Sequence, residues 1–288
     1  MPRTLPAGIT THLAGTQHSR ILMLRLDLVS GVIIGATNHD RDVAYDLGDG
    51  AGVVTYKAGI AALPSELELS CNINDISDID MRGFFNSDIT RAGILGKAFN
   101  EAVVRLFEIN WRDPSDGAIP YMKGFVAKAV VEGDEFRLIL HSENSKWLQV
   151  IGRVITPFCD AQFGDTRCTK TPVSTTATVT AVTDARNFTV SYSGTYADNF
   201  FNKGVVDFTT GELATARPIE IFSFTAAGAI VLWTRAGVTP QVGNQLQLRQ
   251  GCANTIVDCR DIHANAINFR GFPYVPGKDK YVAFPIPG

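Results

Sequence analysis

The C-terminal half of the chain is organised by two pairs of cysteines, in the stretches CDAQFGDTRC (159–168) and CANTIVDC (252–259). The 83 residues between the pairs are rich in Thr, Val, Ser and Gly and carry almost no helical periodicity. Within them, runs of strand length and composition alternate with turns, at 176–182, 188–192, 204–208, 217–224, 230–233 and 245–249. This pattern is typical of a small antiparallel barrel or sandwich, and we predict a barrel inserted at residues 172–250.

The two cysteine pairs are expected to meet, because the two ends of an inserted barrel lie close together. The thiols of Cys159, Cys168, Cys252 and Cys259 would then surround one point at the neck of the barrel. Four thiolates suit a tetrahedral Zn²⁺ or an iron–sulfur cluster, and gaps of eight and six residues, wider than a usual zinc knuckle, favour [4Fe–4S]. Buried free thiols, or disulfides formed after purification, are alternatives that the spacing leaves open.

Other polar residues that suggest chemistry have structural explanations. Cys71 lies on a predicted strand and is expected to be a small buried apolar residue. His263 follows Cys259 by four residues, and a hydrogen-bonding or surface role is favoured over that of a spare ligand. The run His39-Asp40-Arg41-Asp42 predicts a hydrogen-bonded loop, because adjacent residues on a strand point to alternate faces and do not converge on a substrate.

Two irregular segments carry no cofactor fingerprint. The glycine-rich loop at residues 48–52 lacks the spacing of a dinucleotide or phosphate loop and has no helix after it, so nucleotide binding is not expected. The aromatic, Pro- and Gly-containing segment 268–274 is interpreted either as a cover for the cysteine site or subunit contact, or as a strap packed on its own domain.

The N-terminal half also predicts mainly β-structure. The predicted strands are 21–29 and 32–36, as a hairpin with one buried face, 53–57, 66–73, 102–111, and a second hairpin of 121–132 and 135–141. Short helices are predicted at 9–18, 79–91 and 146–150, with the run Gly93-Ile94-Leu95-Gly96 as a helix breaker. The predicted fold is therefore mainly β with a few short helices, in an N-terminal domain of residues 1–156 and a C-terminal domain of residues 157–288.

Composition and charge exclude several classes of protein. The net charge of −3 and pI of about 6.0 give no electrostatic footprint for a nucleic-acid backbone, so no sequence-specific nucleic acid is expected as a partner. No run of eighteen apolar residues predicts a membrane span, and the first residues do not have the pattern of a signal peptide. A reducing cytoplasm is therefore expected, where cysteines serve as thiols or metal ligands.

Several motifs together resemble one known family, from about Gly15 to Pro276. They are TNHDRD (37–42), GRV (152–154) leading to Cys159, FGDTRC (163–168), GC (251–252), CR (259–260), NAINFRGFP (265–273) and PG (276–277). The chain resembles the tail hub, or baseplate hub, protein of long-tailed bacteriophages and of phage-like gene transfer agents. It is more distantly similar to the tail tip protein L of lambda.

The resemblance implies a place in the virion tail tip, after assembly in the cytoplasm of the bacterial host. It implies a homotrimeric ring formed by the N-terminal domain, with the distal tail protein above it, the central fibre or receptor-binding protein below it and the tape measure protein in its lumen. It also implies an SH3-like barrel and a [4Fe–4S] cluster, whose ligands correspond to Cys159, Cys168, Cys252 and Cys259.

The predicted function is that of a structural subunit joining the tail tube to the central fibre, with no catalytic residues and a structural cluster. A cluster-dependent enzyme or redox carrier is one alternative, although no cofactor fingerprint is present. A zinc-stabilised protein, either structural or wall-degrading, is the other; the degrading enzyme would need an open coordination position that the scattered histidines do not suggest.

Overall fold

A computed structural model describes residues 5–16, 19–59, 78–147 and 152–275 and divides the chain into two units. The first unit comprises Met1–Gln149 with Thr215–Arg217, and the second comprises Val150–Ala214 with Pro218–Gly288. The predicted domain boundary at residues 156 and 157 concerns independently folding domains and stays a prediction.

The first unit contains a mixed sheet of eight strands. In chain order they are β1 Arg20–Asp27, β2 Ile33–Thr37, β3 Val43–Asp46, β4 Val53–Ala58, β5 Asp78–Phe84, β6 Val103–Asn110, β7 Ala118–Glu132 and β8 Glu135–Ser142. Their order in the sheet is β3-β4-β2-β1-β6-β7-β8-β5. Only β2 and β4 pair in parallel among these described strands. The two predicted hairpins, β1–β2 and β7–β8, are confirmed, whereas β3 was not predicted.

The central strand β1 is buried on both faces, so the prediction of one buried face was wrong. Leu24 belongs to the larger core cluster of the sheet, while Met23, beside it in the chain, belongs to a second cluster around Tyr56 and Phe107. Arg25 follows on the same strand and is also buried. Ion pairs with Asp27 and Asp49 compensate its charge, so the buried guanidinium has partners.

The helix predicted at residues 79–91 is wrong. Ile79 and Met81 are buried and alternate with exposed residues, because this segment is strand β5 and pairs antiparallel with β8. Phe84 and Phe85 follow Met81 by three and four residues, which is helical spacing, and this led to the wrong prediction of a helix. The helix begins later, at α2 Arg91–Leu95, so the predicted breaker at 93–96 lies largely inside it.

The other two predicted short helices exist with shifted limits. The helix predicted at 9–18 is α1 Ala7–Ala14, and the helix predicted at 146–150 overlaps α3 Asn144–Trp147, with residues 148–150 outside the described residues. The predicted strand at 66–73, with Cys71, lies outside the described residues. No helix in the described parts of the chain has the length and apolar character needed to cross a bilayer.

The second unit contains a closed barrel of six strands, in the order β10-β13-β12-β11-β14-β9. The strands are β9 Ser174–Val182, β10 Asn187–Tyr192, β11 Val205–Phe208, β12 Ile219–Phe224, β13 Ala229–Leu232 and β14 Gln245–Arg249. Each corresponds to one of the predicted runs, and the mainly β fold class is confirmed. Alternate side chains point inward and fill the barrel, among them Val179, Phe188, Val206, Phe224, Leu232 and Leu248.

The barrel closes between its first and last strands. Ser174, the first residue of β9, pairs with Arg249, the last residue of β14. The pairing continues outward, where the Gln250 amide donates to the Val173 carbonyl at 2.8 Å. The chain therefore enters and leaves the barrel at the same place.

Candidate metal centre

Cys159, Cys168, Cys252 and Cys259 line one small cavity of about 10 Å³ at this end of the barrel. Cys259 is buried, and the other three are partly exposed. The remaining walls are two apolar residues, three asparagines and one histidine: Ala161, Phe163, Asn254, Asn265, Asn268 and His263. The structure thus brings together all four cysteines that the spacing singled out.

The first limb of the site carries Cys159 and Cys168 and is shaped by Asp165. One oxygen of the Asp165 carboxylate accepts hydrogen bonds from the backbone amides of Cys168, at 2.6 Å, and Arg167, at 2.9 Å. These bonds, the Cys168 amide first, lower the pKa of Asp165 despite some desolvation. Gly164 has a φ of +89°, a left-handed conformation suited to glycine, at the start of this turn.

The second limb carries Cys252 and Cys259 and begins with a close backbone approach. A Cβ atom added to Gly251 would lie 1.9 Å from the Lys203 carbonyl oxygen, so only glycine fits there. The segment Asp258–Ile262 is a short π-helix that holds Cys259. Such π-turns are rare and occur often at functional sites.

Backbone hydrogen bonding joins the two limbs. The Cys159 amide donates to the Asn254 carbonyl at 2.7 Å, across almost a hundred residues of chain. The Asn265 side-chain amide donates to the Cys168 carbonyl at 2.6 Å. These contacts hold the cysteine pairs against each other.

Three of the four sulfurs accept N–H hydrogen bonds. The Arg270 amide donates to Cys159 Sγ at 3.4 Å, the Asn254 amide to Cys252 Sγ at 3.4 Å, and Asn265 Nδ2 to Cys168 Sγ at 3.6 Å. The Cys259 thiol instead donates to the Asn265 carbonyl at 3.2 Å. N–H donors aimed at sulfur stabilise thiolates, which are the form of cysteine that binds metals.

Burial raises the pKa of the Cys252 and Cys259 thiols, and the neighbouring cysteines raise it further. For Cys252 the Asn254 amide opposes this effect and Asp258 adds to it. Several thiolates in one cavity also repel one another, and a cation between them would offset this repulsion and favour the charged form. The set of donors therefore fits a metal or an iron–sulfur cluster chemically.

The four sulfurs share a cavity but do not form a single-ion site. Among the residues that the structure describes, no set of three or more His, Cys, Asp or Glu side chains is arranged to hold one metal ion. A tetrahedral zinc site places its sulfurs about 3.8 Å apart, as follows from a Zn–S bond of about 2.3 Å.

His263 lines the cavity as a hydrogen-bonding residue. It is 4% exposed and its ring packs on Phe163, with centroids 4.4 Å apart. Burial lowers its pKa, while its hydrogen bond with the Gly251 backbone and the charge of Asp258 act in the opposite direction. Its position agrees with the predicted hydrogen-bonding role.

The segment 268–274 packs beside the first limb of its own unit, which agrees with the strap that was one of the two interpretations. Arg270 donates to Cys159, and the Phe272 amide donates to the Thr156 carbonyl at 2.8 Å. Gly271 lies against Phe158, where an added Cβ would be 2.6 Å from the backbone.

The run His39-Asp40-Arg41-Asp42 is a hydrogen-bonded loop, as predicted. His39 Nδ1 lies 2.7 Å from Asp40 and accepts the Arg41 amide at 3.0 Å. Asp42 accepts the Ala58 amide at 2.9 Å. The glycine-rich loop at 48–52 likewise has a structural use, since it places Asp49 beside Arg25.

Sequence reasoning missed the roles of Asn254 and Asn265. Asn265 belongs to one of the motifs quoted above, but only the cysteines were assigned as site residues. A polar side chain close in sequence to a ligand is too common to be a signal, and the contacts with Cys168 connect residues 97 positions apart.

The fold of the chain is similar to that of a chain in a solved virion particle. A chain of the "Virion of native gene transfer agent (GTA) particle" superposes with a TM-score of 0.83, over 98% of this chain and 97% of that one, at 24% identity. At this identity the likeness concerns the fold.

The sequence itself then shows the family. The model "Baseplate hub protein, N-terminal attachment domain" matches residues 6–171, and the model "Phage conserved hypothetical protein BR0599" matches residues 199–279. No curated protein matches the sequence. The chain belongs to the baseplate hub protein family and is a structural component of a virion tail. The resemblance inferred from the motifs is confirmed.

Proposed function

We propose that the chain is the hub subunit that joins the distal end of the tail tube to the central fibre, and that Cys159, Cys168, Cys252 and Cys259 hold a structural [4Fe–4S] cluster. The observation that carries this proposal is the single cavity lined by all four cysteines, with N–H donors to three of the sulfurs. Thiolate ligands with such donors are typical of iron–sulfur proteins.

The spacing of the cysteines favours a cluster over zinc. A structural zinc site usually takes its thiols from short knuckles, and the gaps of eight and six residues here are wider. A cluster has its irons at separate corners, which suits thiols that line a shared cavity. The free space in the cavity is about 10 Å³, and three of the cysteines are partly exposed.

The cluster, when bound, would supply metal–sulfur bonds that tie both limbs to one inorganic core. The chain's own residues do the rest. Asp165 shapes the first limb, and the pairing of Ser174 with Arg249 brings the second limb to it. Binding energy at such a site adds to folding energy, so the barrel would keep a fixed orientation on its neck.

The hub role supplies the proposed partners. We infer a homotrimer with the distal tail protein above, the central fibre or receptor-binding protein below and the tape measure protein in the lumen. Family membership and the fold of a gene transfer agent virion chain support an assembly with other virion proteins. Membership of this family supports a structural role, and we infer that the chain does not act as an enzyme.

Metal and sulfide analysis of anaerobically purified full-length protein tests the cluster. We expect about four irons and four sulfides per chain and a broad visible absorption band. One zinc per chain without colour would replace the cluster by a zinc clip, and absence of any metal would refute both.

Light scattering and reconstruction of assembled tails test the partners. A mass of three chains, and density for this chain between tube and fibre, are expected. A monomer at high concentration that also fails to enter tails would contradict the hub assignment.

A further inference from the structure

We propose that Asn265 is a positioning residue of the cysteine site, which fixes Cys168 and Cys259 relative to each other through its side chain and its backbone. This inference deepens the proposed function and rests on it in so far as the ligand is a cluster. The contacts concern only the chain's own residues, so they are testable with any thiophilic metal.

Asn265 contacts one cysteine from each limb. Its Nδ2 donates to the Cys168 carbonyl at 2.6 Å and lies 3.6 Å from Cys168 Sγ, and its own carbonyl accepts the Cys259 thiol at 3.2 Å. Its amide donates to the Cys259 carbonyl at 2.8 Å. The residue is only 8% exposed, so these bonds are shielded from water.

The local backbone turns so that Asn265 lies against Cys259. The π-helix ends at Ile262, and Ala264 then adopts a left-handed conformation with φ of +48°. A left-handed residue after a helix reverses the chain and lets the next amide bond back to the last turn. Asn265 therefore reaches a buried position that a continued helix would not give it.

Two further side chains fix the orientation of the Asn265 amide. Asn268 Nδ2 donates to Asn265 Oδ1 at 2.8 Å and lies 2.9 Å from Thr169 Oγ1. Because Oδ1 is occupied by this donor, Nδ2 is the atom that faces Cys168. The amide orientation is thus set by the hydrogen-bond network.

Asn265 offers a direct test because its donor belongs to a side chain. The other N–H donors to sulfur in the described site are backbone amides of Asn254 and Arg270, which substitution does not remove. Asn265→Asp keeps the size of the side chain but replaces the donor by a negative oxygen that faces Cys168. Partners of metal ligands typically change metal affinity 10–100-fold when they are altered.

The experiment compares Asn265→Asp and Asn265→Ala with wild type in the full chain. In the cluster-loaded protein we expect at least about tenfold faster loss of iron to a chelator for Asn265→Asp. The reduction potential of its remaining cluster should also be lower, because a donor is lost and a negative charge is added. Asn244→Asp is the matched control, because Asn244 does not line the cavity and its Oδ1 accepts the Gln241 amide, as an aspartate oxygen can also do; it should change the rate less than threefold.

Cd²⁺ titration of the metal-free protein, followed by the thiolate charge-transfer band, tests the positioning role of Asn265 separately from the proposed cluster. Weaker Cd²⁺ binding by Asn265→Asp supports the positioning role even if wild type carries no iron. Unchanged iron loss, potential and Cd²⁺ affinity in a folded Asn265→Asp protein would overturn the inference, and so would a wild type that binds neither metal. Loss of binding together with loss of the barrel's melting transition would also overturn it, because Asn265 would then be a folding residue.

Discussion

Arg249 and Ser174 pair across the seam of the barrel, so the two ends of a 76-residue segment lie side by side (249 − 174 + 1 = 76). Cys252 follows Arg249 by three residues, and Cys168 precedes Ser174 by six. Closure of the barrel is therefore what brings the two cysteine pairs together. The shared cysteine cavity is thus a consequence of barrel closure.

Gly251→Ala is expected to open this neck. The added methyl would lie 1.9 Å from the Lys203 carbonyl oxygen and 2.2 Å from the Gly204 nitrogen, and backbone atoms cannot move aside as a flexible side chain does. We expect a cost of about 3 kcal/mol, and loss of metal, measured by thermal melting and metal content. Gly152→Ala is the control, because nothing lies within 4 Å of its added methyl. Equal melting temperatures for the two variants would contradict the close approach.

Cys252→Ser and Cys259→Ser should each destabilise the second unit and block tail assembly. Structural metal sites contribute binding free energy on the order of 10 kcal/mol to folding, and a hydroxyl is a poor replacement for a thiolate ligand. Melting temperature, iron content and infectivity or gene transfer are the measurements. Cys71→Ala is the control and should keep its iron, since this cysteine is outside the proposed ligand set. Wild-type melting and full infectivity in both serine variants would defeat the structural role of the site.

Asp49→Asn should destabilise the first unit by about 2 kcal/mol. The guanidinium of Arg25 is 4% exposed and donates to Asp49 at 3.0 Å, and Asp27 remains as a second partner after the substitution. Denaturant unfolding at pH 7 measures the loss. Asp46→Asn, at the exposed end of β3, should change stability by less than about 0.5 kcal/mol.

The ion pair of Arg25 and Asp49 makes the stability of the first unit depend on pH. Burial alone would raise the pKa of Asp49, but hydrogen bonds from Arg25 and Ala51 and the charges of Arg25 and Arg105 lower it overall. A lowered pKa means that the folded state holds the proton less tightly than the unfolded state, so this stabilisation is present above about pH 4 and is lost as pH falls through the folded value. The difference between wild type and Asp49→Asn should shrink in that window, and a constant difference down to about pH 2 would contradict the assignment.

Ala264→Gly should stabilise the protein by about 0.5–1 kcal/mol, because a φ of +48° strains any residue with a Cβ. Ala266→Gly, in the 3₁₀ turn Ala266–Asn268, should act in the opposite direction through the greater freedom of the unfolded chain. Thermal melting of the two variants gives the signs. Destabilisation of Ala264→Gly would show that the left-handed turn carries no strain.

The sequence by itself determined the local features of this protein, namely its barrel strands, its cysteine pairs and its family motifs. The barrel strands were predictable because β-branched residues alternate between turns, and 245–249 was predicted with the same limits as β14. The four cysteines stood out because they bracket that barrel in two pairs. The hub family was recognisable because its motifs flank those cysteines and use residue types that are otherwise unusual together.

Only the tertiary structure decided how these local elements meet. Ile79 and Met81 form a strand because the edge of β8 is available for pairing. Strand β1 is buried on both faces because a second cluster covers the face opposite the larger core. Asn265 touches Cys168 because the barrel closes over the residues between them. Periodicity reports the neighbours of a residue along the chain, whereas contacts between residues far apart depend on burial and hydrogen bonding that arise only when the whole unit folds.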